Sequence, residues 1–237
     1  MTKLYSTLAG IYHEMYKQLL NYDEEHRFYD SVLKKYDRHS ILEIGCGSGM
    51  LARRFLKDGY DYTGLDLSNE MLDIARSEVK TDKFVQGDMR NLSINRQYDS
   101  VLITGRSIAY NIENEEVLNT FTGIHKVLKN NGLLIFDFFE ADGVMHDLND
   151  FEQEIKVGNK RIHRMSQLKK NLKTGWTWDW IAQYTIEENG KTEVHDDFAT
   201  LRAFTKDEIR LFLKLSGFKV KRVMEDRKIV SFIAEKV

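Results

Sequence analysis

No proline occurs among the 237 residues of this chain, so any catalytic loop that depends on proline is excluded. Cysteine is almost as scarce. The single one, Cys46, leaves no partner for an internal disulfide and too few thiolates for a cysteine-based zinc site. No apolar run approaches the roughly 20 residues that span a bilayer, and the opening MTKLYSTLAG lacks a cationic stretch followed by an apolar block. The default expectation is a cytoplasmic protein with no membrane partner. An excess of charge is missing too: the formal net charge of −2 argues against a dedicated nucleic-acid binder. Tryptophan is rare but concentrated, with all three residues in TGWTWDW, at Trp176, Trp178 and Trp180. A strand would set these indoles on one face, whereas a helix would scatter them.

What is present is ordinary globular composition, 42% hydrophobic and 30% charged. From Leu4 to Tyr36, apolar and aromatic residues at three-to-four spacing predict two helices broken near Asn21–Asp23. From residue 40 the pattern alternates. SILEIG, YDYTGLDL, KFVQGD, YDSVLIT and GLLIFDFF read as strands, separated by MLARRFLKDG, a Ser68-capped SNEMLDIARSEV and ENEEVLNTFTGIHKVLKNNG as helices. Strands alternating with helices across short Gly-containing turns predict a doubly wound, parallel α/β sheet. Residues 151–203 alternate apolar and polar with EENGK as a turn, which predicts an inserted antiparallel sheet. A Thr205-capped helix and an antiparallel strand pair close the chain. The organisation predicted is an N-terminal helical cap at 1–37, a main domain of 38–140 with 204–237, and an inserted β subdomain at 141–203, acting as substrate lid or interface.

The sharpest signal is ILEIGCGSG, where a strand runs into Glu43-x-Gly45-x-Gly47-x-Gly49 and a helix follows. Glycines let the backbone turn tightly and approach a ligand, and the helix N-terminus presents free N–H groups. The spacing matches neither G-x-G-x-x-G nor a P-loop, so pyrophosphate is not the favoured ligand. Asp66 ends the next strand, where a carboxylate suits a ribose diol. Asp88 ends the third, where one suits an adenine amino group. Taken singly, the glycines also read as a plain βα turn, Asp66 as a loop cap before Ser68 and Asp88 as a turn residue. Together they favour a nucleoside site. Glu43 lies inside an apolar strand, where an unpartnered carboxylate is costly, so a dedicated partner is expected. No base stands near Cys46 in motif order, which makes it a space-filler.

ILEIGCGSG, GLDLSNEML, QGDM and LKNNGLLIFDFF resemble the successive motifs of class I S-adenosylmethionine-dependent methyltransferases, and LYSTLAGIYHEMY resembles the N-terminal helix of a small-molecule subgroup that includes glycine and amino-sugar N-methyltransferases. The resemblance is strong over residues 1–140 and looser at the C-terminal end. It implies a Rossmann-like, mostly parallel seven-stranded sheet and S-adenosylmethionine as cofactor, with S-adenosylhomocysteine as product. It further implies that Gly45, Gly47 and Gly49 line the methionyl part, with Glu43 orienting their loop. Asp66 would hold the ribose, Leu67 and Met71 would face the adenine, Asp88 would take its amino group, Met89 would meet the ring edge, and Tyr12 would close over the cofactor.

In that family GRSIAYN, residues 105–111, sits beside the departing methyl group. The missing proline excludes an N-P-P-Y tetrapeptide there, which argues against adenine and protein-glutamine acceptors. Asp137 has no evident carboxylate partners, so no metal is expected. The catalytic candidates are Tyr12, Arg106 and Tyr110, and the substrate candidates are Arg106, Tyr110, Arg164, Trp178 and Arg202. Arg106 reads either as an anchor for a substrate carboxylate or phosphate or as a surface partner of Glu113 or Glu115. Tyr110 reads as functional or as a core cover. The tryptophans read as a cation–π wall or, preferably, as packing of the inserted sheet on the main domain or a second subunit. Of the seven scattered histidines, only His13 is expected over the active site. The expected activity is methyl transfer to a small molecule, at nitrogen rather than oxygen, by positioned in-line displacement. The alternatives are a non-catalytic S-adenosylmethionine binder and a tRNA or protein methyltransferase. The expected assembly is a monomer, or a homodimer through the β insertion.

Overall fold

The computed structural model describes residues 2–237. Strands β1 (Ser40–Ile44), β2 (Asp61–Asp66), β3 (Phe84–Gln86), β4 (Tyr98–Ile103) and β5 (Leu128–Phe139) run parallel. A second sheet of β6 (Phe151–Val157), β7 (Lys160–Lys170), β8 (Trp176–Glu188) and β9 (Lys191–Ala203) is an antiparallel meander. Strands β10 (Phe218–Asp226) and β11 (Ile229–Lys236) then return to the first sheet, where β11 is antiparallel to both β10 and β5. The resulting order is β10-β11-β5-β4-β1-β2-β3, a seven-stranded, mostly parallel Rossmann-like sheet.

Period-two alternation explains the two core layers. Leu42, Ile44, Val101, Ile103, Leu134 and Phe136 point to one face, against helices α5 (Asn114–Val127) and α7 (Lys206–Leu215). Their neighbours Ile41, Leu102, Leu133 and Ile135 point to the other. There they meet α2 (Tyr22–Lys35), α3 (Ala52–Lys57) and α4 (Asn69–Val79). With both faces covered, the strands read as continuous apolar runs rather than alternating ones. The caps are local. The Ser68 side chain accepts from Met71 N, and Thr205 shares a capping box with Glu208.

The helix expected to run through the KNNG segment stops earlier, at Val127. Lys236 Nζ donates to the carbonyls of His125 and Leu128 at 2.7 and 2.8 Å, satisfying acceptors at that helix end. The start of the expected β insertion also differs, because Ala141–His146 is helical (α6). In the meander, the expected turn at EENGK is a two-residue one, made by Asn189 (φ 51°) and Gly190 (φ 76°) between β8 and β9.

The meander and helix α1 (Ala9–Leu19) roof the carboxyl ends of the parallel strands. Leu4, Leu8 and Met15 pack with Ile162, Tyr184 and Ile186 of the meander. The Asp197 carboxylate accepts from Lys3 N and Leu4 N at 2.7 and 2.9 Å, tying the N-terminal segment to β9. Trp178, Ala199 and Leu201 pack with Ala109, Ala141 and Val144. Among the described residues no helix is long and apolar enough to cross a membrane.

Candidate active site

Strand order reverses between β1 and β4, and the crevice outside their carboxyl ends is where open α/β sheets take ligands. The β1–α3 loop lies there. Gly45 and Gly47 adopt φ of 74° and 52°, a left-handed backbone that costs other residues about 1 kcal/mol each. Gly45 N and Cys46 N donate to Leu65 O at 2.8 and 3.1 Å, fastening the loop to β2. A cleft of about 290 Å³ opens beside it, lined by Gly45, Gly47, Asp66, Leu67, Met71, Asp88 and Met89 among others. Gly49 is not in its wall. A Cβ there would sit 3.0 Å from Ala75 and 3.1 Å from Phe84, so this glycine permits close packing of α4 and β3 instead of facing the cleft.

Asp66 accepts from Gly47 N (2.8 Å) and Ser68 N (2.9 Å), which aims its carboxylate at the cleft mouth, and burial raises its pKa. Asp88 is held by Arg90, whose Nε and Nη2 reach it at 2.9 and 2.7 Å. That guanidinium also bonds Glu116 at 2.8 Å, and its contact with Asp88 holds the aspartate below the ordinary carboxylate range. Sequence reasoning missed Arg90, although it stands two residues from the aspartate.

Glu43 is 2% exposed, and its partners are Tyr62, whose hydroxyl donates at 2.5 Å, and Thr104, whose hydroxyl donates at 2.9 Å. Burial pushes its carboxyl up to about 7 against the lowering effect of those two donors. In the unfolded chain the same group titrates near about 4.3, so between these values the folded state binds more protons. That contribution is complete below the unfolded pKa and is lost as pH rises through about 7. Chemical denaturation should therefore show wild-type stability falling relative to Glu43→Gln by on the order of 3 kcal/mol from about pH 4 to about pH 8. A constant difference across that range would contradict this assignment. Cys46 is buried 3.1 Å from the Leu65 carbonyl by its own N–H, and burial raises its thiol, so it supplies no thiolate.

A second cavity, of about 450 Å³, adjoins the cleft and shares Tyr5, Tyr12, Gly45, Gly47, Thr104 and Tyr110 with it. Tyr12 stacks on Tyr16 at 4.2 Å and meets Tyr5 edge-on at 5.2 Å. The Tyr110 hydroxyl donates to that of Tyr5 at 3.0 Å, and burial raises both phenols. Arg106 lines the larger cavity with φ 58°, an uncommon conformation for a non-glycine residue. Its N–H donates to Asp137 Oδ1 at 3.0 Å and its Nη1 lies 3.7 Å from Oδ2. The partner is thus Asp137 on β5, rather than Glu113 or Glu115, because the loop turns inward after β4. Arg164 and Trp178 also reach this cavity.

Arg202 is in neither cavity. Its guanidinium is 2% exposed, donates to Ile112 O and Glu208 Oε1 at 3.1 Å each, and lies over Phe204 and Phe212. It joins β9 to α7, and the expectation of a substrate contact is corrected. His13 also lies outside both walls, bonding Ser48 Oγ at 2.9 Å. Of the tryptophans, Trp178 is buried edge-on against Phe139 at 5.3 Å and Trp180 joins it in the cavity wall, while Trp176 is exposed. Tyr5, Tyr16 and Glu25, which sequence reasoning did not single out, also line the wall, although the aromatic spacing of the N-terminal segment was visible.

Residues 41–132 match the family described as "Methyltransferase domain". A protein of Geobacillus sp. (strain WCH70) named as a methyltransferase is 30% identical over 224 residues, covering 89% of each chain. The chain belongs to the S-adenosylmethionine-dependent methyltransferases. This methyltransferase is also 25% identical over 217 residues to the glycine/sarcosine N-methyltransferase of Aphanothece halophytica, covering 86% of this chain and 77% of that one. Its fold is shared with the sugar N-methyltransferase KedS8 from a Streptoalloteichus species, at a TM-score of 0.84 and 18% identity over 95% of this chain and 92% of that one. The enzyme uses S-adenosylmethionine as its methyl donor.

Proposed function

We propose that this methyltransferase methylates an amino nitrogen of a small molecule held in the larger cavity. The observation that carries the reading is the wall of that cavity, where Tyr12, Tyr110, Trp178 and Trp180 surround a space that also meets Glu25 and Glu43. Aromatic faces and carboxylates suit a cationic amine, and about 450 Å³ admits a small molecule rather than a duplex. The N-methyltransferases among its relatives support the same acceptor atom.

The cleft fits the cofactor: its glycine turn lets Gly45 pack on Ser107, where a Cβ would collide with the hydroxyl, leaves no Cβ beside Met71 at Gly47, and sets a fixed carboxylate at the cleft. When bound, S-adenosylmethionine supplies a methyl group on a positively charged sulfur. In this reading Asp66 accepts from the ribose hydroxyls and Leu67 and Met71 cover the adenine. Asp88 and the backbone of Met89 meet the adenine edge, while Glu43, through its bonds to Tyr62 and Thr104, keeps the Gly45 loop in place. Tyr12, Tyr5 and Tyr110 exclude water where the two cavities meet. With the donor bound, these residues would align the neutral amine so that a nitrogen–carbon bond could form as the sulfur–carbon bond breaks, with S-adenosylhomocysteine leaving and the amine proton passing to water. The work of the protein is alignment. The reading includes a cytoplasmic location and either a monomer or a homodimer paired through the outer face of the meander, where Val194 and Phe198 are exposed.

The test is methyl transfer from S-adenosylmethionine to a panel of primary and secondary amines beside matched alcohols. The expected products are N-methylated amines, and methylation of the alcohols alone would overturn the reading. Trp178→Phe should raise the KM for the amine about threefold to tenfold, with S-adenosylhomocysteine affinity within about twofold. An unchanged KM would remove Trp178 from the acceptor wall.

A further inference from the structure

The inner face of the meander carries a buried arginine that lines the larger cavity. Arg164 on β7 is 6% exposed. Its Nη1 donates to the Tyr16 hydroxyl at 3.3 Å and its Nη2 to Gln153 Oε1 at 2.5 Å, both uncharged. Its Nε is buried with no partner. The guanidinium lies over Phe151 and Trp180, 5.0 and 5.8 Å from the ring centroids, and all three residues line the larger cavity. Other donors nearby are equally unsatisfied: Trp180 Nε1 and the hydroxyls of Tyr184 and Ser166 have no hydrogen-bond partner. The strand register sets Arg164 opposite Tyr184, Ser166 opposite Ala182 and Leu168 opposite Trp180, so these donors share one face of the sheet.

A buried cation without a counter-ion is costly, and donors without acceptors add to that cost. Both are relieved by a ligand that brings oxygen acceptors and negative charge. We propose that Arg164 and the Trp180 indole N–H form an oxyanion subsite that takes a carboxylate or phosphate of the methyl acceptor. The acceptor's amine then lies toward Gly45 and Tyr110, where the cavity meets the cofactor cleft. This deepens the amine reading and rests on the larger cavity being the acceptor site. It makes the substrate class an amine that carries an oxyanion at its far end.

The probes are 4-aminobutyrate and O-phosphoethanolamine, with butylamine and ethanolamine as counterparts that lack the oxyanion. Binding is followed by tryptophan fluorescence and calorimetry with S-adenosylhomocysteine saturating. At least one oxyanion-bearing amine should bind about tenfold to a hundredfold tighter than its counterpart, and which one it is separates carboxylate from phosphate. Arg164→Gln should abolish that preference while S-adenosylhomocysteine affinity stays unchanged, and Arg164→Lys should retain part of it. Equal binding of amines with and without the oxyanion, or a preference that survives in Arg164→Gln, overturns the subsite. Should Arg164→Gln fail to fold, the wild-type panel and Arg164→Lys decide, with a preference unchanged by lysine counting against a guanidinium site. Because binding is read without turnover, oxyanion selectivity without methylation would defeat the amine reading alone. Methylation indifferent to the oxyanion would defeat the subsite alone.

Discussion

Asp66→Ala is expected to weaken S-adenosylhomocysteine binding by about a hundredfold or more, with little change in global stability. The carboxylate stands at the end of β2 with one oxygen on Gly47 N and the other on Ser68 N. Each oxygen keeps a second acceptor direction for a ribose hydroxyl. Hydrogen bonds to a charged group are worth about 1.5–3 kcal/mol each, and about 1.4 kcal/mol is a factor of ten. The substitution also frees Gly47 N, so the loop that shapes the cleft loses one of its ties to β2, keeping those from Gly45 N and Cys46 N to the Leu65 carbonyl. Asp66→Asn, which keeps one acceptor oxygen, should fall between. Calorimetric titration measures the effect, and an affinity within about threefold of wild type would remove Asp66 from the cofactor site.

The second large effect is on stability. Arg202→Ala is expected to cost about 3 kcal/mol, which for a chain of this length lowers Tm by roughly 6–12 °C. Its guanidinium bridges the Ile112 carbonyl and Glu208, and Glu208 is itself half of the capping box that starts α7. Truncation takes the donor from the Ile112 carbonyl and removes the cation packed on Phe204 and Phe212. Cofactor affinity and the KM for the acceptor should stay within about twofold in the protein that remains folded at assay temperature. A large KM change with unaltered Tm would return Arg202 to the substrate site.

Arg202 also shows where sequence reasoning reaches its limit. The order of strands and helices was legible because both faces of the main sheet are covered, which leaves uninterrupted apolar runs such as LLIFDFF punctuated by glycine. The cleft residues were legible for a related reason. Gly45, Asp66 and Asp88 follow consecutive strands, so chain order alone brings them to one end of the sheet. The acceptor cavity has no such order. Tyr5, Glu25, Arg106, Phe139, Arg164 and Trp178 come from six separate elements and loops and meet only because the meander folds back over the strands. An inserted sheet also has two faces, and a sequence cannot say which arginine faces the cavity when two lie on different strands. Arg164 projects into it while Arg202 is drawn away by Glu208. Gly49 fails for another reason, since a glycine spaced for ligand approach and one spaced for helix packing are written alike. The tryptophan stripe divides along its length, exposed at Trp176 and turned into the cavity at Trp178 and Trp180.

The most direct test is to incubate the enzyme with S-adenosylmethionine labelled in its methyl carbon and the amine panel, and to follow label and S-adenosylhomocysteine together. The expected result is label on an amino nitrogen and one S-adenosylhomocysteine released per methyl transferred. Tight cofactor binding with no S-adenosylhomocysteine formed above the amine-free background, across amines with and without an oxyanion, would contradict it.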